Sequence, residues 1–568
     1  MMDSAPFGAS SVPPVTDVPW RDWDPELFED DATAEQLRLL LVAPAWHPGV
    51  AELDETLFAD RRIVAHLSAD LTPIRVDADE RPEIAVRYGE PGGVTVSLLS
   101  AAGDLLDRFA EPTADTVVAA IGAWLSRWRR ERDGVLAELE AERVLRRASL
   151  PSPGAVGSMG GDLTPGVLDA VLERTTGAAG PAGPEQVRLW LYAHRRRADL
   201  ESERRARMAI QRRIDGGGFD EARGGFRHCA DPVPACQVRL AEDQGRWLSV
   251  LAGIAAEDSD AHEWVLQAVV QTIDFVEAEF LNSSGGFQHA VGDDRVLAAS
   301  NAALARGLIA CGIVFNRPDW RTRGRTAVDF LVRRMRAGEA GFYHGWDGVP
   351  IRLGLLGAQI SAGQALLDAY ELTGSIDYLH QVQTVARLLE RQFQTADGLL
   401  ADTDLGTEQH GLLEEPHHVP ADNADGAELL IRLGHLTHDD RYVEMAYAIL
   451  SALTGRLDAL PLESASAVAR VVDRLLSIEP EVKIVAFAPP GEIDSVADPL
   501  HAEALRLALA AHTVQRLNPE FDAVLVEQLS VPVVAGGAVC FVSGEYGPLL
   551  THPDELLPAI ERGMTLPA

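Results

Sequence analysis

The chain has 568 residues, 46% hydrophobic and 24% charged, with 86 acidic against 50 basic side chains and a formal net charge of −36. At roughly 150 residues per domain this length predicts three or four folding units, and the composition excludes a disordered or fibrous chain. Such a negative molecule repels phosphate backbones and anionic lipid, so neither nucleic acid nor a membrane is an expected partner.

The expected elements begin with a β-type run at 37–42, followed by a Pro/Gly turn and a helix over 54–67. A strand at 72–76, a short helix at 82–88, a strand at 94–99, a Gly103-Asp104 hairpin signal, a strand at 105–109 and a long helix over 114–148 complete the unit. This β-α-β-α-β-β-α order is that of a thioredoxin-like domain, assigned to residues 1–148. Residues 149–183 turn to Ser, Pro and Gly and read as a linker with the first segments of the next domain.

From 184 to 479 apolar residues take helical spacing and a repeat emerges. Gly225-Phe226, Gly286-Phe287 and Gly341-Phe342 recur, and Gly398-Leu399 continues the phase. Each interval of roughly 57 residues holds two amphipathic helices, for example 300–315 with 325–335 and 359–372 with 376–393. Helical pairs at a fixed period must stack to bury their apolar faces, and about six such intervals fit between 150 and 479, which predicts a closed (α/α)6 toroid. Residues 480–568, with strand-like runs at 482–487 and 538–542 and a helix at 499–512 between them, form a small α/β appendage. The fold class is therefore multidomain, α/β plus all-α.

Several chemistries are excluded by residue type. Lys483 is the only lysine, so P-loop, pyridoxal and Schiff-base sites that need a lysine amine are not available. Cys229, Cys236, Cys311 and Cys540 contain no C-x-x-C pair and are too few for a disulfide framework, as expected in a reducing compartment. Cys229 and Cys236 with His228 make only half of a zinc site, so no metal and no cofactor is expected. Residues 1–18 lack a basic stretch followed by an apolar core, and no apolar run approaches the roughly 18 residues of a spanning helix; a soluble cytoplasmic protein is expected.

In a thioredoxin enzyme the loop after the first core strand carries Trp-Cys-x-x-Cys, whose thiolate attacks a disulfide sulfur. Here it reads Trp46-His47-Pro48-Gly49-Val50, and the later Pro-Thr position reads Val94-Thr95. With both sulfurs missing, a redox-inactive domain is expected, with His47 an ordinary turn residue.

Residues 20–23, Phe58-Ala59-Asp60, Val76 to Ile84 and Tyr88 are similar to the thioredoxin-domain-containing proteins related to spermatogenesis-associated protein 20. The resemblance continues through Gly216 to Asp220, Gly224 to His228 and Asp422-Asn423-Ala424, and covers most of the chain. It implies a thioredoxin-like domain followed by a toroid of the six-hairpin glycosidase type, with polar ligands such as sugars bound in the funnel at one end. By this resemblance the chain looks like a divergent branch. The family's Cys-x-x-Cys is gone, its His-Phe-Glu-Lys-Met-Leu-Tyr-Asp-Asn block reads Cys236 to Gln244, and its later Glu-Asp pair reads Leu356-Gly357.

Independently of the resemblance, histidine follows the repeated Phe by two residues in three copies: His228, His289 and His344. Equivalent repeat positions share a height around a ring, so these imidazoles are expected at the funnel mouth, where they could contact ligand or move protons. The alternative is that they bond loop backbone and line nothing. Trp247, Phe287, Tyr343 and Trp346 have phases suited to stacking on sugar faces. Asp243, Asp293, Asp294, Asp347, Asp402, Asp404 and Asp422 are candidate carboxylates for glycoside chemistry. His417-His418 and Asp422-Asn423 form a polar cluster ahead of a helix near Ala424, for which a helix cap is the plainer reading.

The expected ligand set is His228, Asp243, Trp247, Phe287, His289, Tyr343, His344, Trp346, Asp422 and Asn423, around a carbohydrate-like small molecule. A non-catalytic scaffold is the alternative, with a protein partner held through the thioredoxin-like domain; a sugar epimerase or glycoside hydrolase is the second. A mouth plugged by apolar side chains or by the appendage would favour the scaffold.

Overall fold

The computed structural model describes residues 18–29, 35–90, 92–109, 112–149, 161–178, 180–228, 237–257, 262–406, 410–489, 492–533 and 535–565. Cys229 and Cys236 lie outside the described residues. The chain divides into two compact units, and Leu405–His417 belongs with the N-terminal one.

The N-terminal unit contains α1 (Pro25–Glu29), β1 (Leu37–Ala43), α2 (Pro48–Glu55), α3 (Arg61–Ala69), β2 (Leu71–Asp77), α4 (Pro82–Tyr88), β3 (Thr95–Leu99), β4 (Leu105–Phe109) and α5 (Ala114–Ser149). Its four strands order as β2-β1-β3-β4, with β1 parallel to β2 and antiparallel to β3. Every residue of β1 is buried, because helices cover both faces of the sheet. Leu37, Leu39 and Leu41 pack with Ile63 of α3 and Val117, Ile121 and Leu125 of α5. Leu40 and Val42 pack on the other side with Ile84 and Tyr88 of α4 and Leu27 of α1.

The single helix expected over 54–67 is two. Pro48 starts α2 one residue after its cap His47, and α3 restarts at Asp60, whose carboxylate accepts the Arg62 N–H at 2.8 Å. The long α5 is interrupted at Glu131, where φ is −134°.

Among the described residues the second unit holds twelve helices of a ring. In chain order they are α6 (Gly166–Thr176), α7 (Pro184–Arg197), α8 (Leu200–Arg213), α9 (Ala241–Glu257), α10 (His262–Glu279), α11 (Ala298–Val314), α12 (Pro318–Phe330), α13 (Leu356–Thr373), α14 (Ile376–Leu388), α15 (Pro420–Thr437), α16 (Asp440–Thr454) and α17 (Leu462–Leu476). Each of α7, α9, α11, α13, α15 and α17 packs on the next, and α17 packs back on α7, so six inner helices close on themselves. Helices α8, α10, α12, α14, α16 and α6 pack outside them, α6 serving α17. Closure buries the apolar faces that isolated hairpins would expose. Helices α9 and α11 cross so closely at Gly245 that a Cβ there would stand 2.2 Å from the Ala303 carbonyl carbon.

The Gly-Phe repeat has a structural cause. Helices α8, α12 and α14 each end in one wider turn, Ile214–Gly218, Leu331–Met335 and Leu389–Phe393, after which the chain doubles back on itself. The returning residue is Phe226, Phe287, Phe342 or Leu400, bridged to Phe219, Leu281, Arg336 and Gln394 respectively. Leu400, not Leu399, therefore continues the phase. An inner-helix amide holds each return. Gln244 pairs with Phe226 N and O at 2.6 and 2.7 Å, Gln359 with Phe342 N and O at 2.8 Å each, and Asn423 with Leu400 N and O at 2.8 and 2.9 Å. Asn301 accepts the Phe287 N–H at 3.0 Å. The repeat thus satisfies backbone groups that would otherwise be buried without partners.

Short strands β5 (Val296–Leu297), β6 (Gly345–Trp346) and β7 (Pro350–Ile351) pair along the loops of the ring. The C-terminal part comprises β8 (Glu481–Val485), α18 (Ala497–Ala504), β9 (Thr513–Leu517), α19 (Ala523–Gln528), β10 (Gly537–Val542), β11 (Glu545–Tyr546) and α20 (Leu556–Thr565), its strands ordered β11-β10-β8-β9. Its helix α18 ends at Ala504, short of the expected 512, because the following residues return to β9, a strand the period-two pattern did not reveal.

The C-terminal sheet covers the C-terminal ends of α13 and α15. Gln515 donates to Tyr370 Oη at 3.0 Å and Leu436 O at 2.9 Å, and Gln528 donates to Thr437 O at 2.6 Å. Lys483, fully buried, pairs with Glu481 at 2.6 Å and with Gln515.

Candidate functional site

The loops that follow the Gly-Phe returns bring their third residue to the start of a neighbouring inner helix. The His289 carbonyl accepts the Ala241 N–H at 2.9 Å, that of His344 accepts the Ala298 N–H at 2.8 Å, and that of Asp402 accepts the Leu356 N–H at 2.9 Å. His289, His344 and Asp402 therefore share one height, at the N-terminal ends of α9, α11 and α13. With Leu400 in phase, Asp402 is the fourth member of the histidine series.

One position before each amide on the inner helices stands a matching residue: Asp243, Ser300, Ala358 and Asp422. His228 Nδ1 lies 2.9 Å from Asp243 Oδ2, and His289 Nδ1 lies 2.8 Å from Ser300 Oγ. The last repeat replaces this pairing by two carboxyl groups, Asp402 and Asp422.

Around them the first turns of the inner helices supply Glu185 on α7, Glu242 and Asp243 on α9, Asp422 on α15 and Glu463 on α17, with Asp425 one turn further along α15. Helix N-termini favour negative side chains, but here the carboxyl groups crowd each other. Burial and the Asp425 charge, joined by Glu242 and Asp402, push Asp422 up to about 7 against the pull of Arg246. Burial, Glu185 and Glu428 push Asp425 up to about 6. Both side chains keep partial contact with solvent at this end of the ring, the pit marked by the inner-helix N-termini. Glu185 is held below its usual range, because Arg188 and Arg470 outweigh the effect of its burial.

Asp422 and Arg246 come from α15 and α9, three steps apart in a ring of six, yet each acts on the other's charge. Their charges therefore act across the ring. Arg246 is also paired with Glu242 at 2.6 Å and stays 45% exposed. Beside Asp422, residue 357 is glycine, and a Cβ there would approach Asp422 Oδ2 to 3.3 Å; the missing side chain leaves space over the carboxyl.

Deeper along the axis ion pairs fill the lumen. Glu428 takes both Arg470 Nη atoms at 2.7 and 3.0 Å and Arg474 at 3.1 Å. Arg432 joins Asp368 at 2.7 Å and Glu371 at 3.0 Å, and Arg306 joins Asp368 at 2.8 Å. Matched and hydrogen-bonded, these charges form a polar floor beneath the pit. A cavity of 70 Å³ at the opposite end, lined in part by Tyr192, Arg195, Arg196 and Arg474, carries arginines already engaged with Glu257, Asp473 and Glu479.

The sequence-predicted residues divide accordingly. His228 pairs with Asp243 at the start of α9, and Asp422 stands in the first turn of α15, opposite α9 in the ring. His289 and His344 reach the same height but are only 4% and 8% exposed. Trp247 and Phe287 do not line the funnel: Trp247 stacks on Phe226 at 5.3 Å and Phe287 is fully buried in the ring core. Their helical and repeat phases are those of core positions. Asn423 is a buried backbone clamp. Tyr343 and Trp346 are half-buried, and the Trp346 indole lies under Arg334 at 5.9 Å. Asp293 is taken up by Arg295 and Asp294 by Gln288.

Glu185, Glu242, Arg246, Asp425 and Glu463 were missed. The usable signal was acidic residues in the first turn of successive inner helices, phased with Asp243 and Asp422. In the N-terminal unit His47 caps α2, its Nδ1 accepting the Gly49 N–H at 3.1 Å. Among the described residues no cluster of His, Cys, Asp or Glu is arranged to hold a metal, and no helix is long and apolar enough to cross a membrane.

No family model and no curated protein matches the sequence. Solved structures similar to this chain include cellobiose 2-epimerase from Bacillus thermoamylovorans B4167, with a TM-score of 0.44 at 12% identity over 51% of this chain and 86% of that one. A D-mannose isomerase gives 0.43 at 12% over 51% and 86%. Unsaturated glucuronyl hydrolase from Bacillus sp. GL1 gives 0.42 at 14% over 54% and 94%. These values decide nothing about this chain, whose closed ring stands on its own helix contacts.

Proposed function

We propose that the ring binds a sugar-like small molecule in the pit at the N-terminal ends of its inner helices and performs acid–base chemistry on it. The observation that carries this reading is Asp422, a carboxyl group poised near neutrality and set across the axis from the His228–Asp243 pair. An acid that holds its proton close to pH 7 can donate to a sugar oxygen, while an imidazole oriented by a carboxylate can accept a proton from the other side. Two such groups on opposite faces of one ring suit epimerisation or hydrolysis of a glycosidic bond. The C-terminal sheet lies at the far ends of α13 and α15 and leaves the pit clear, which weighs against a plugged scaffold.

The N-terminal unit is, in this reading, a thioredoxin-like domain without redox chemistry. Its β2-β1-β3-β4 order and the Trp46-His47-Pro48-Gly49-Val50 loop without sulfur support that assignment.

A thermal-shift screen of neutral and amino sugars tests the pit. A stabilising sugar is expected, with its affinity lowered at least about tenfold by Asp422→Asn and by His228→Gln, and little changed by His289→Gln. A panel with no stabilising sugar, or one whose effect survives both substitutions, overturns the reading.

A further inference from the structure

The N-terminal unit encloses residues from far along the chain, and it does so mainly through their backbone. The Leu412 N–H donates to Tyr88 Oη at 2.8 Å, and the Tyr88 O–H donates to Gly103 O at 2.6 Å. Arg87 donates from Nε to Leu412 O at 3.0 Å and from Nη2 to Glu415 O at 2.8 Å. Burial raises the Tyr88 phenol well above its usual range, so its proton stays in place to donate.

Side chains complete the fit. Leu413 is buried with Trp23, Leu27, Leu40 and Tyr88. The His410 ring stacks on Phe28 at 4.8 Å, and Arg146 pairs with Glu415 at 3.2 Å. Gly411 has φ of 62°, and a Cβ on it would stand 2.5 Å from both Gly103 O and Tyr88 Oη, so only glycine passes this point. The surface used lies at the β3–β4 turn. Because β1 runs antiparallel to β3, with Arg38 opposite Leu99, this is the end of the sheet away from the Trp46–Val50 loop.

We propose that the N-terminal unit is an intramolecular peptide clamp whose occupant is residues 410–415 of this chain, and that Arg87 and Tyr88 are positioning residues for the pit. The gripped segment joins α14 to α15. In sequence it runs from Asp402 and Asp404 into His418, which lies 3.0 Å from Thr395 Oγ1, and then into Asp422. Holding this segment limits the freedom of the residues that follow it, and with it the placement of Asp422. A domain without thiol chemistry would thereby keep a mechanical task. The positioning half rests on the pit reading; the clamp itself does not.

Hydrogen exchange on the full-length protein tests both halves without a ligand, so a failed sugar screen leaves the result intact. In Gly411→Ala and Tyr88→Phe, exchange over 410–417 is expected to be at least about tenfold faster, with β1 and β3 as protected as in the parent. Parental protection of 410–417 in Gly411→Ala overturns the clamp. That substitution lies on the segment, outside the sheet and its helices, so it decides the matter even where Tyr88→Phe fails to fold. Faster exchange over 418–425 in the same variant supports the positioning role, and unchanged exchange there overturns it.

Discussion

Asp422 shows how crowding around a single side chain bears on stability. Its carboxyl holds a proton to about pH 7 in the folded chain but releases it near the ordinary value of 3.8 when unfolded. Between these limits the folded state binds more protons, so this group's contribution to stability falls as pH rises and its cost is complete above about 7. Asparagine cannot ionise. Asp422→Asn is therefore expected to raise stability by about 1–3 kcal/mol at pH 8 and to lose that advantage as pH falls toward 4, read from urea unfolding at both values. An equal gain at every pH would mean that packing, not ionisation, governs the site. None of this was visible from residue type: Asp422 was one of several phased acids until the ring placed Asp402, Asp425 and Glu242 around it.

At the scale of elements, the repeat was legible because it is chemical. Gly-Phe returns and amphipathic pairs recur in the sequence, and the structure explains them as a loop that doubles back and is held by an inner-helix amide. Of the amides only Asn423 stood out in the sequence, and there as a ligand or a cap rather than a clamp. Gln244, Asn301, Gln359 and Asn423 alternate between two residue types, and a polar residue in the first turn of a helix carries no mark of what it will bond. Asn423→Ala would strand the Leu400 N–H and C=O and lose a third bond to Val419 O at 3.0 Å. A loss of about 2–4 kcal/mol is expected in chemical denaturation, without the pH dependence of the Asp422 variant. The period-two strand at 513–517 went unseen for a similar reason. Its residues Thr-Val-Gln-Arg-Leu include polar Thr513 and Gln515 that are themselves buried, so hydrophobic alternation is weak.

For the whole molecule, the single lysine offers a probe of how the ring is closed at its far end. Lys483 is fully buried between Glu481 and Gln515, and burial lowers its affinity for a proton despite the Glu481 charge. An amine-reactive ester should leave Lys483 unmodified in the folded protein and modify it fully in concentrated urea, as read by peptide mass. Rapid native modification would show that the C-terminal sheet opens from α13 and α15 on the time scale of labelling.

Composition, the lone lysine, the sulfur-free loop and the helical period were fixed by residue identity, and with them the excluded chemistries and the expectation of stacked hairpins. The ring of six hairpins was expected from the period, but the placing of α9 opposite α15 and the crowding that raises Asp422 came only with tertiary structure. The reason is physical: local periodicity reports which face of an element is buried, whereas a pKa or a pit depends on distances between residues hundreds of positions apart, which no local pattern encodes.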